Sequence, residues 1–357
     1  MNRGYLVAQP GQTVEMAGGS YPAQTIAYQA SKASAGSYVS FQPAAGAAVT
    51  INGDLVNYAA WVRVVGLNVS ATMNLAEGGP SASNVVFDTM HAANFLIGPG
   101  HDITLSNSNI GPQPLCGEEN KIGPDGNIPN AVPYNINLIG NYIHDQNGNN
   151  SVSGCHFGGL FLIAGHDFKL AGNKFVRNVV YDIQVQNFTG SYGGAPSNVT
   201  IENNWFVGPV EWLPLDTTFD NQPNVQLDCR PNACSYTNWL VRYNSFYAGV
   251  SLAFDGATTL SNVRVVGNIG RSSYGCQAGG TFAYNVWQSN ACSSTDVLVG
   301  SLPYLSASIA SPDFHLSGGP AVDLVPGTNA DQQLGIDNDG GTRPLGPARD
   351  AGADELR

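Results

Sequence analysis

The stretch "SNVTIENNWFVG" (residues 197–208) decides the fold: an apolar-alternating strand stops at two asparagines and restarts at once on an aromatic. The pattern returns as "YNINLIGNYIHD" from Tyr134, "HDFKLAGNKFVRN" from His166, "TNWLVRYNSFYAG" from Thr237 and "SNVRVVGNIGR" from Ser261, and less cleanly as "HDITLSNSNIG" from His101. Ile136 and Asn141, Phe168 and Asn173, Val199 and Asn204, Trp239 and Asn244, and Val263 and Asn268 are each five apart. The gaps between successive asparagines vary, from 24 residues (Asn244 to Asn268) to 40 (Asn204 to Asn244). A constant internal offset with unequal gaps means a rigid unit joined by loops of different length, the sequence signature of a solenoid.

Within each unit the alternation marks a short strand with one buried face: Val199, Ile201 and Phe206 inward, Thr200 and Glu202 outward. Helical signal is poor, because β-branched residues, glycines and turn dipeptides interrupt every long window. Asparagine suits the sharp turn because it tolerates left-handed backbone geometry. With rungs stacked about 4.8 Å apart, its amides satisfy buried turn groups and one another in an internal ladder. Asn204 is therefore expected to bend the chain between two sheets.

Composition agrees. Charged residues are 11% and hydrophobic ones 43%, with 43 Gly and 21 Pro, which suits an all-β chain rich in turns and argues against disorder. A net charge of −12 excludes nucleic acid as the expected partner. No window approaches the roughly 18 apolar residues of a membrane span. Six cysteines read as three disulfides, Cys229–Cys234, Cys276–Cys292 and Cys116–Cys155, and hence an oxidising, extracellular setting. The N-terminus carries no signal peptide and reads as the interior of a domain.

The repeat resembles that of the right-handed parallel β-helix family typified by pectate lyases, a three-sheet solenoid with an asparagine ladder. The resemblance covers most of residues 20–300. "PGQTVEMAGGSYPAQTI" from Pro10 looks like the opening coil of secreted bacterial members, and "GIDNDGGTRPLGPARDAGADE" from Gly335 like their ending. It implies one domain: a β-helix over 1–310 with a tail, 311–357, packed on it. The ladder strands become the second sheet. "YDIQVQN", "NVQLDC" and "GVSLAFDG" become the first, and "NWFVG" and "NSFYAG" the third.

Polysaccharide-cutting members work in a groove on the outer face of the first sheet, walled by loops. Long excursions run from Gly208 to Asn224, from Gly111 to Tyr134 and from Asp145 to Cys155. If Ile183, Val185, Val225 and Leu227 face in, an outer strip presents Asp182, Gln184, Gln186, Gln226 and Asp228, and the long loop adds Glu211, Trp212, Asp216 and Asp220. Amides bond sugar hydroxyls, an indole stacks on a pyranose, and paired carboxylates supply general acid and base or a nucleophile. Asp182, Asp228, Glu211 and Asp216 are the candidate catalytic acids, with Arg230 the best-placed base for a lyase. Gln184, Gln186, Gln226, Trp212, His156 and Asp220 are the candidate sugar-binding residues.

No catalytic motif of the lyases is present, and the hydrolase members' Asn-Thr-Asp, Asp-pair and Gly-His-Gly signature is absent. Asp145, Asn147 and Asn149 in "HDQNGNN" begin a calcium-loop spacing without its distal Glu, a pattern an ordinary Asn-Gly turn also gives. "IDNDGG", with Asp337 and Asp339, is similar. Calcium is thus the one cofactor suggested. Two functions fit: a secreted monomeric lyase or glycoside hydrolase acting on an extracellular polysaccharide, or a non-catalytic β-helix serving as glycan-binding module, adhesin or tail-fibre-like protein. They differ in whether Asp182, Asp228 and the 208–224 loop converge, since hydrolysis needs two carboxyl groups roughly 5–9.5 Å apart.

Overall fold

Every repeat folds as one coil of a right-handed parallel β-helix in a computed structural model. It describes residues 1–76, 82–113, 120–123, 131–146, 158–178, 181–186, 194–208, 223–229, 233–247, 250–255, 258–274, 276–308 and 310–356. The second sheet has eleven parallel strands in chain order, from Thr13–Met16 to Gly280–Ala283, and contains Tyr134–Ile139, His166–Ala171, Ser197–Glu202, Cys234–Arg242 and Thr258–Val266. Its inner face is a set of in-register files: Ile103, Ile136, Phe168, Val199, Trp239, Val263, and beside them Leu105, Leu138, Leu170, Ile201, Val241, Val265. On the third sheet Phe175, Phe206 and Phe246 stack with ring centroids 5.0 and 4.9 Å apart. That is the rung spacing, so identical rings stack from coil to coil.

The asparagines form the expected file, extended by one rung. Each side-chain amide donates to the next Oδ1: Asn141 to Asn173 (3.0 Å), Asn173 to Asn204 (3.0 Å), Asn204 to Asn244 (2.9 Å), Asn244 to Asn268 (3.0 Å), Asn268 to Asn285 (3.0 Å). Each backbone N–H joins the same acceptor, and the side chain also donates to a strand carbonyl, Leu170 in the case of Asn204. The left-handed bend, however, belongs to the preceding residue. Asn107, Asn203 (φ 58°), Tyr243, Gly140, Gly172 (φ 66°) and Gly267 carry positive φ, and the ladder asparagines do not. Asn204 binds the corner that Asn203 turns.

The first and third sheets are joined in an uneven way. Near both ends single strands run through the corner, as Val49–Asn57, Asn68–Asn74, His91–Ile97 and Ile269–Tyr274 do. In the middle coils the two sheets are separate strands: Tyr142–His144 then Leu160–Leu162, Lys174–Val176 then Ile183–Gln186, Trp205–Gly208 then Pro223–Asp228. The helix Asn2–Val7 closes one end of the core, with Tyr5 fully buried against the first coils. The tail packs on the outside of the third sheet, where Phe314, Leu316, Val325, Ala351 and Ala353 bury Trp205, Tyr243 and Ile269. Asn203 and Asn338 exchange side-chain contacts across it, Asn203 to the Ile336 carbonyl and Asn338 to that of Asn203. Disulfides Cys229–Cys234 and Cys276–Cys292 are formed. The Cys116–Cys155 pairing lies outside the described residues.

Candidate functional site

The first sheet aligns Lys121–Ile122, Leu160–Leu162, Ile183–Gln186, Pro223–Asp228 and Val250–Asp255 in register. Leu160, Ile183, Val225 and Leu252 point into the core, as do Leu162, Val185, Leu227 and Phe254. Between them runs an outward file, Lys121, Phe161, Gln184, Gln226 and Ala253, and two residues further along the backbone register pairs Gln186 with Asp228 and Asp228 with Asp255. Gln184 donates from Nε2 to Gln226 Oε1 at 3.4 Å. The register of Gln184, Gln186, Gln226 and Asp228 is the one alternation predicts, and Asp228 and Asp255 are backbone partners at the end of the strands.

The face is less open than expected. Gln226 and Asp228 are each 2% exposed, Gln184 is half-buried, and Phe161, Ile163 and Ala164 form an apolar cluster with Val132 on the outside of the sheet. Lys121 and Phe161 escape the repeat pattern because their strands are two and three residues long and carry no alternation of their own.

Asp182 is the main correction. It sits at the corner where the third sheet turns into the first, fully buried, in one file with Asn224 and Ser251. Its Oδ2 accepts from Asn224 Nδ2 at 2.7 Å and its Oδ1 from Asn178 Nδ2 at 3.1 Å. Burial pushes its carboxyl up to about 7, against the pull of Asn224, Asn178 and the Gly208 N–H. Alternation distinguishes two faces only along a flat strand. At a corner the neighbouring sheet closes off the side that alternation labels outward. Asp182 also lies four residues before Gln186, the partner of Asp228, so at about 3.3 Å per residue the two acids stand about 13 Å apart along the sheet. That exceeds the separation either hydrolytic geometry uses.

Asp145 is likewise committed elsewhere. Arg177 grips both of its oxygens, Nε to Oδ1 at 2.7 Å and Nη2 to Oδ2 at 2.6 Å, and His144 Nδ1 lies 2.6 Å from Oδ2. Burial opposes ionisation there, but the bonds from Arg177 and His144 outweigh it and hold the carboxyl below its usual range. An acid already clamped by a guanidinium is a poor calcium ligand. Asn147, Asn149, His156, Glu211, Trp212, Asp216, Asp220 and Arg230 lie outside the described residues, as do the side chains of Gln186 and Asp255.

No family model matches the sequence, and no curated protein matches it. Among solved structures the chain is similar to the crystal structure of pectate lyase Pel9A, with 14% sequence identity and a TM-score of 0.52. The match covers 99% of this chain and 90% of that one, which establishes the β-helix architecture over the whole length.

Proposed function

We propose that this chain is an extracellular polysaccharide-cleaving protein, acting as a monomer, that takes an extended glycan along the outer face of the first sheet. The observation that carries the reading is the outward Gln184–Gln226 pair on the strands that carry Asp228, whose backbone partner is Asp255. This is the face whose middle strands receive the longest connections, including the one from Gly208 to Pro223. A solved protein of the same fold is a pectate lyase. The two disulfides are consistent with an oxidising environment, and among the described residues no helix is long and apolar enough to cross a membrane.

In this reading Gln184 and Gln226 hydrogen-bond sugar hydroxyls and Phe161 offers an apolar edge to a ring. Asp228 is the central acid. Asp255 takes the second place that alternation assigns to Asp182. Glu211, Asp216 and Arg230 supply further acid or base groups, and Trp212, Asp220, His156 and Gln186 contact the chain of sugars. Adjacent aspartates also offer the hard oxygen donors that calcium prefers. When bound, calcium would neutralise a uronate carboxylate that a protein of net charge −12 otherwise repels. The substrate is accordingly a calcium-bridged polyuronate or a neutral glycan.

Incubation with pectate, alginate, xylan and related glycans, with and without calcium, tests this. Unsaturated uronide absorbance identifies a lyase, and new reducing ends without it a hydrolase. Asp228→Asn should lower the rate by about 10²-fold or more with folding intact, the scale on which positioned acid–base groups act. Glycan binding without cleavage across the panel would instead favour the non-catalytic reading.

A further inference from the structure

A second cluster of ligand-type side chains lies away from the first sheet, where the tail covers the third sheet. His315 projects from the strand Asp313–Leu316, between the buried Phe314 and Leu316. Its Nδ1 is bonded to Asp313, which leaves Nε2 directed at two carboxylates from elsewhere in the tail. Nε2 is 2.7 Å from Asp339 Oδ2 and 3.7 Å from Asp354 Oδ2. One ligand atom from each of the three residues lies within 4.8 Å of the others.

Asp354 is the observation that an ion-pair network leaves unexplained. It is 1% exposed, yet neither carboxylate oxygen has a hydrogen-bond partner among the described residues. Its charged neighbours are His315, Asp339, Asp337 and Arg343. Arg343 is directed elsewhere: its Nη atoms donate to the carbonyls of Asp350 and Gly352, and its Nε, without a hydrogen bond among the described residues, lies 3.5 Å from Glu355. A bare buried carboxylate costs several kcal/mol unless something compensates it. Burial accordingly raises its pKa to about 6.

We propose that His315 Nε2, Asp339 and Asp354 bind a divalent transition metal of the zinc type. The chemistry of the donors selects the class. Imidazole with carboxylates suits zinc and its neighbours, whereas calcium and magnesium take oxygen alone. Bond lengths of about 2.1 Å place tetrahedral ligands about 3.4 Å apart, and the observed 2.7 and 3.7 Å bracket that value. Asp313 on Nδ1 is the outer carboxylate that fixes the tautomer and orients the ring of a metal-bound histidine. Trp205 packs edge-on against the same ring at 5.3 Å, and Lys174, stacked on Trp205 at 3.9 Å, lies 3.6 Å from the other oxygen of Asp339. His315 and Asp339 remain about one-third exposed, which gives an ion a way in. The metal would staple three separate parts of the tail together over the third sheet.

Titration of the metal-stripped full chain with zinc chloride, followed by calorimetry and by metal analysis after gel filtration, tests the assignment. One zinc per chain is expected, and at 100-fold excess over the dissociation constant the unfolding midpoint should rise by about 3–4 °C. Calcium and magnesium should not displace the zinc from this site in competition. Asp354→Asn and His315→Gln should each weaken zinc binding at least 10-fold, while Asp145→Asn, at the His144–Asp145 pair, should leave it unchanged. If zinc fails to bind stoichiometrically, or binds Asp354→Asn as it binds the parent, the assignment is wrong and the cluster is an imidazolium held between carboxylates. Asp228 takes no part, so the glycan assays neither support nor weaken this site.

Discussion

Asp182 shows how one side chain links the corner of a coil to pH. Unfolded, its carboxyl titrates near 3.8, and in the folded corner near 7. Between those values the native state holds a proton that the unfolded chain has lost, so stability falls as pH rises from about 4 to about 7 and is flat above. The difference corresponds to roughly 4 kcal/mol for this fully buried group. Replacing Asp182 with Asn removes the ionisation. The unfolding midpoint of the parent, relative to that of Asp182→Asn, should therefore climb by several degrees as pH drops from 8 to 5. A difference that stays level over that range would show the carboxylate to be charged throughout. Activity on any glycan should survive the change, because the residue does not reach the outer face. None of this is legible locally. Asn178 and Gly208 meet Asp182 only because the chain turns there, and alternation carries no record of a turn. Gln184, Gln226 and Asp228 lie on the straight part of the same strands, where alternation assigns the right files.

The ladder corner is a division of labour between two adjacent residues. Asn204→Ala deletes an acceptor shared by two donors of Asn173 and leaves the Leu170 carbonyl without its amide. With buried groups costing about 1–3 kcal/mol each when unpaired, a loss of roughly 3 kcal/mol in urea unfolding is expected. Gly172 sits one residue before the ladder at φ 66°, and a Cβ added there would meet only the Gly140 backbone, at an ordinary contact distance of 3.9 Å. Gly172→Val should therefore cost about 1–2 kcal/mol through backbone strain alone, and Gly172→Asn less than about 0.5 kcal/mol. Equal losses for Val and Asn would mean that packing, not dihedral preference, governs the turn. The offset of five residues from strand to asparagine makes the coils readable. The positive φ falls one residue earlier than the sequence suggests, because asparagine is suited to both jobs and the dipeptides Gly-Asn, Asn-Asn and Tyr-Asn do not by themselves divide them.

Across the whole molecule, cross-links and tail act on different parts of the rod. Cys276–Cys292 closes 16 residues and Cys229–Cys234 only 5. The chain-entropy relation gives about 3 and about 2 kcal/mol. Paired Cys→Ser changes should follow that order in denaturant unfolding, and a reversed order would show that native contacts outweigh loop closure. Tail contacts are the least legible part of the fold, since Asn203 reaches Ile336 across 133 residues of chain. The amide file has a consequence of its own. Every side-chain amide in it points its donor toward the C-terminal end, so the bond dipoles add head to tail and each polarises the next. The run ends at Asp296, whose Oδ1 receives both the Asn285 backbone and side-chain N–H at 3.0 Å. An anion thus terminates a one-way electrostatic wire. Neutralising it in Asp296→Asn should loosen the last rungs first, with hydrogen exchange accelerating at Asn285 and Asn268 before Asn141 responds.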